Sequence, residues 1–124
     1  MPVSPRERKY SAMRCIDKWV NSNREQERKL VPPYGTIGVG GADFDYLLKT
    51  TVGEAYLRVL RRNGTPEEAH EEAIADGNHC VDVWNERTSK TRASVNGVYE
   101  LKQWNETGKM VADDLHLWFL SLIR

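Results

Sequence analysis

The apolar positions of this chain recur every three or four residues over most of its length, the spacing of α-helices that each turn one face to a core. Tyr10, Met13, Ile16, Trp19 and Val20 form a first stripe, and Phe44, Leu48, Val52, Ala55, Val59 and Leu60 a second. Ala69, Ala73, Gly77, Val81 and Trp84 form a third. Its small residues predict close approach by another helix. Leu101, Trp104, Gly108, Val111, Leu115, Trp118 and Leu122 form a fourth, heptad-like seam.

The ends of these elements are marked by capping residues. Ser4-Pro5-Arg6-Glu7 and Thr65-Pro66-Glu67-Glu68 each set a hydroxyl before a proline and a glutamate three residues on, the signature of a capped helix start. Asn21-Ser22-Asn23 weakens the first helix, Ser22-Asn23-Arg24-Glu25 offers a fresh cap for a short extension, and Pro32-Pro33 ends it. Asn63-Gly64 stops the second helix, whose last turn carries Arg58, Arg61 and Arg62. Gly53 lies inside that helix at a cost of about 1 kcal/mol against Ala, which a close helix crossing accounts for. Asp76-Gly77-Asn78 leaves two alternatives, a continuous third helix or one broken in two. Thr107-Gly108 predicts a kink in the fourth. Strand is confined to short pieces near residues 36–39 and 94–100, where Asn96-Gly97 gives a hairpin signal.

The expected fold is an all-α, single-domain bundle of four to five helices with a central or interfacial C-terminal helix. It divides residues 1–124 into a basic N-terminal helix within 1–30, a Pro/Gly-rich linker at 31–42, a helix at 43–63, an acidic helix at 65–86 and a C-terminal helix at 98–123. Residues 87–97 form a polar, basic connection. A chain of 124 residues, 40% hydrophobic and 29% charged, is long enough for one core without staples. Its formal net charge of zero leaves no global attraction to nucleic acid or to an anionic membrane. The opening MPVSPRERKYSAM lacks the apolar stretch of a signal peptide, and no run has the length of a membrane span. Cys15 and Cys80 are expected as reduced thiols of a cytoplasmic protein, serving as small buried apolar residues.

Candidate chemistry is sparse. Gly38-x-Gly40-Gly41 leads into a helix start, a place where phosphate binds elsewhere. It lacks the third spaced glycine of a dinucleotide loop and the Lys-Ser/Thr pair of a P-loop, and Asp43 and Asp45 oppose an anion there. The three histidines each follow a carboxylate by three residues: Glu67 and His70, Asp76 and His79, Asp113 and His116. Such pairs build di-iron sites in helical bundles, but His70 and His79 lie half a revolution apart on one helix, so no metal or cofactor is expected. Glu67, Glu68, Glu71, Glu72 and Asp76 read as a solvated acidic face. They contain the Glu68-x-x-Glu71 half of a pyrophosphohydrolase pattern without its Glu-x-x-Asp partner. No catalytic set is assigned.

Two binding readings remain. In the first, a non-enzymatic interaction protein self-associates as a homo-oligomer or docks a protein partner through its C-terminal helix. Leu115, Leu117, Trp118, Phe119, Leu120, Leu122 and Ile123 point in nearly every direction there, so one core face does not bury them all. The interface residues are then Leu115, Trp118, Phe119, Leu120, Leu122 and Ile123. An accessory or regulatory role in a phage or mobile element fits this profile. In the second, residues 65–92 form a helix-turn-helix-like, nucleic-acid-binding segment turning at Asp76-Gly77-Asn78. Asn85 would then reach a base edge, and Arg87, Lys90 and Arg92 would meet phosphates. A basic N-terminal segment with Arg6, Arg8, Lys9, Arg14 and Lys18 adds to that reading.

Overall fold

A computed structural model describes residues 3–30, 42–95 and 107–124, the side chains of 29–30, 42–43 and 87–95 excepted. It holds four helices: α1 (Pro5–Leu30), α2 (Ala42–Arg61), α3 (Pro66–Val95) and α4 (Thr107–Ile123). No strand occurs among the described residues. The glycine turn at 38–41, the strand expected at 36–39 and residues 96–106 lie outside them, while Ser94 and Val95 are helical.

The caps form as their residue types dictate. The Glu7 amide donates to the Ser4 hydroxyl at 3.2 Å. At Thr65 the box closes both ways: the Glu68 amide donates to Thr65 Oγ1 at 3.1 Å, and the Thr65 amide to Glu68 Oε1 at 3.3 Å. Asn63 adopts φ 66°, the left-handed turn that ends α2, and the Gly64 amide donates to the Val59 carbonyl at 2.9 Å.

Two segments are more helical than their local residues suggest. α1 runs unbroken through Asn21-Ser22-Asn23. Asn23 is buried there and donates its side-chain amide to the Trp19 carbonyl at 2.8 Å, so its polar group is satisfied within the helix instead of breaking it. α3 extends to Val95, not to 86, which makes most of the expected basic connection the last turns of a helix. Residues 87–95 contain neither Gly nor Pro, and Arg87, Lys90 and Arg92 suit the negative end of the helix dipole.

α2 is the most enclosed element. Phe44, Leu48, Val52, Ala55, Tyr56, Leu57, Val59 and Leu60 are all buried, and α2 packs on each of the other three helices. α1 contributes Ala12, Ile16 and Val20, α3 contributes Ala69, Ala73 and Val81, and α4 contributes Ala112, Leu115 and Phe119. Tyr10, expected on the core stripe, is exposed, and Ala12 takes the buried place. Among the described residues α1 and α3 make no close backbone approach. α2 and α4 lie between them and meet across the core.

Glycines set the closest approaches. A Cβ on Gly53 would fall 2.3 Å from Val20 Cγ2, where α2 crosses α1. Gly77 is buried in an unbroken α3 and faces the Gly108 backbone of α4. The glycine that offered a break point is therefore a crossing point, and the helix-turn-helix bend expected at 76–78 does not exist.

Candidate functional site

Three helices bring a hydroxyl and two imidazoles to one place. Tyr56 on α2 is buried in the core, and His70 on α3 and His116 on α4 are half-buried, each beside a core residue of its own helix. The His70 and His116 rings stack in parallel, with centroids 4.2 Å apart and planes 5° apart. His70 Nε2 lies 2.7 Å from Asp113 Oδ1, and Lys109 donates to Asp113 Oδ2 at 2.8 Å. On the other side of the stack the Tyr56 hydroxyl lies 2.9 Å from His116 Nδ1, and its ring meets Phe119 edge to face. The result is a chain of polar contacts, Lys109–Asp113–His70–His116–Tyr56, threaded across α2, α3 and α4.

The environment assigns protons along this chain. Burial, aided by the negative charge of Glu67, holds the Tyr56 phenol protonated far above its ordinary range. The Tyr56 hydroxyl and His116 Nδ1 share one hydrogen bond, whose donor is set by the tautomer of His116. Partial burial, with the neighbouring His70 ring, holds His116 below the ordinary imidazole value, which keeps it neutral. The hydrogen bonds from Lys109 and then His70 hold Asp113 ionised below the usual carboxylate range. Sequence reading paired Asp113 with His116 along one helix, but the fold pairs Asp113 with His70 across two. Tyr56 carried no functional signal in the sequence. Among the described residues no group of three or more His, Cys, Asp or Glu side chains is arranged to hold a metal ion.

A second polar region lies across the α1–α2 groove. An open cleft of roughly 530 Å³ is lined by Asp17, Val20, Arg24, Glu54, Leu57, Arg58, Arg61 and Arg62. Arg58 bridges Glu72 and Asp76 of α3 at 3.3 and 2.8 Å. Arg62 meets Glu72 at 2.9 Å, Arg61 meets Asp17 at 3.1 Å, and Arg24 pairs with Glu54. Four guanidinium groups thus face four carboxylates. This lacing ties α1, α2 and α3 together and leaves no surplus charge for an anion. It also corrects the picture of a fully solvated acidic face, because Glu72 and Asp76 are engaged by α2. The pairs are open to water and each contributes little to stability.

The residues expected at an interface divide by face. Leu115 and Phe119 are in the core, while Trp118, Leu120, Leu122 and Ile123 are half-buried, Trp118 against the Trp19 ring at 6.1 Å. The outward stripe of α4 reads Met110, Asp114, Leu117, Ser121 and Arg124. Met110 and Leu117, absent from the expected set, are 61% and 65% exposed. Of the residues expected at nucleic acid, Asn85 is half-buried, and Arg87, Lys90 and Arg92 occupy the last turns of α3. No helix of the described residues is long and apolar enough to cross a membrane. Cys15 and Cys80 are free and half-buried, and burial pushes the Cys80 thiol up, away from reactivity.

No known family model, curated protein or solved structure matches the chain.

Proposed function

We propose that the protein is a non-enzymatic helical interaction module that pairs with a second copy of itself through the outward stripe of α4. The observation that carries this reading is the exposure of Met110 and Leu117, seven residues apart on one face of a helix whose opposite face is core. The stripe is self-complementary. In an antiparallel pair of α4 helices related by a two-fold axis level with residue 119, Asp114 of each copy lies opposite Arg124 of the other, and the two leucines flank the axis. An isologous contact of this kind needs one surface only, used twice. Half-buried Leu120 and Trp118 flank the stripe and extend its apolar area.

Light scattering on the purified protein tests the proposal. Wild type is expected at twice the chain mass, and Leu117→Asp and Met110→Asp are expected as folded species at the chain mass. A wild type that stays at the chain mass at high concentration overturns it.

A further inference from the structure

The histidine stack is independent of that outward face. It joins α4 to its neighbours from the inner side. One ring belongs to α3 and the other to α4, two helical turns along from the Gly77–Gly108 crossing. The charged and titratable groups around it are few. α2 presents Tyr56, α3 presents Glu67 beside His70, and α4 presents Lys109 and Asp113 beside His116. α1 faces α4 through Trp19 against Trp118.

The two imidazoles differ in what a proton does to them. A proton on His70 completes a charge-assisted hydrogen bond to Asp113 at 2.7 Å, and a cationic ring over a neutral one is a favourable stack. A second proton has no such welcome. It sets two cationic rings 4.2 Å apart, one on each helix. It also fixes His116 Nδ1 as the donor to the Tyr56 hydroxyl. The repulsion between the rings is relieved by separation of α4 from α2 and α3.

We infer that the stacked pair His70–His116 is a proton-operated latch, closed while no more than one ring is charged and opened when both are. Opening uncovers the inner side of α4, with Leu115 and Phe119, and the α2–α3 surface beneath. It is a response to acidification alone and takes its protons from solvent.

The test follows both rings and α4 in one sample, from about pH 7.5 down to about pH 5, where most carboxylates stay ionised and imidazoles change charge. Ring-proton resonances report each histidine, and hydrogen exchange, corrected for its intrinsic pH dependence, reports the α4 amides. Expected is a His116 step on the acid side of the ordinary imidazole value. Through that step, α4 protection falls about tenfold for each pH unit while α1 and α2 keep theirs. His116→Phe keeps a ring in the stack but takes no proton, and its α4 is expected to stay protected to the lowest pH. The latch is overturned if α4 in wild type stays closed throughout, or opens away from the His116 step. It is equally overturned if His116→Phe opens as wild type does. Should that variant not fold, the coincidence of ring titration and α4 opening in wild type still decides.

Discussion

A methyl group placed on Gly108 would stand 2.5 Å from the carbonyl carbon of Gly77, so α3 and α4 cross backbone against backbone. Neither side can yield by turning a side chain. Gly→Ala inside an exposed helix stabilises by about 1 kcal/mol, but here the sign reverses. Gly108→Ala is expected to destabilise by about 1–3 kcal/mol, the range of overpacked cores. Gly77→Ala, whose nearest contacts are 3.0–3.1 Å, is expected to destabilise less. Urea unfolding midpoints check the order.

Phe119 and Leu117 are two residues apart and opposite in consequence. Phe119 is fully buried against Tyr56, so Phe119→Ala is expected to cost about 3–5 kcal/mol. Leu117→Asp, on the outward stripe, is expected to change the stability of the single chain by no more than about 0.5 kcal/mol. Thermal unfolding of both variants separates core from surface on α4.

How much of this was legible in the residues depends on the range of the interaction. Capping is local, so Thr65 with Glu68 and Asn63 with Gly64 could be read directly. The α2 and α3 stripes were legible for the same reason, because burial repeats with the helix period. Asn23 and Gly77 misled because each has a poor helical propensity that a tertiary partner offsets. Asn23 finds the Trp19 carbonyl, and Gly77 finds the Gly108 backbone. The histidine stack was not legible at all. His70 and His116 are far apart along the chain, and only the antiparallel packing of α3 on α4 brings them face to face.

Tyr56 makes stability fall at alkaline pH. Its phenol ionises in the unfolded chain near the ordinary value of 10.0 but is held protonated well above that in the fold. The folded state then binds more protons than the unfolded one, so the contribution of Tyr56 is full below about pH 10 and is lost as pH rises beyond it. His116 works at the other end. Its folded value lies below the ordinary 6.5, so its contribution is full above about pH 6.5 and falls on acidification. Urea midpoints are expected to be highest between these limits, and Tyr56→Phe is expected to flatten the alkaline decline.

The capping box at the start of α3 is a separate, local contribution. Thr65→Ala removes the acceptor of the Glu68 amide and is expected to cost about 1 kcal/mol, while Thr65→Ser keeps it. Chemical denaturation of the two variants side by side measures the difference.

The tight turn between α2 and α3 has a bearing on how the chain reaches its fold. Arg62, Asn63, Gly64 and Thr65 join two helices that share the broadest contact among the described residues, so their pairing closes a short loop at small entropic cost. Contacts of this kind form early, whereas α4 must return from a greater sequence distance to find the same core. The α2–α3 hairpin is therefore the natural nucleus and α4 the late arrival. A mutation at Ala73, between α2 and α3, should slow refolding. One at Leu115 should chiefly hasten unfolding. A helix that docks last is also the one most readily let go, and the moments after synthesis and the moments of acid stress then pass through the same partly assembled three-helix form.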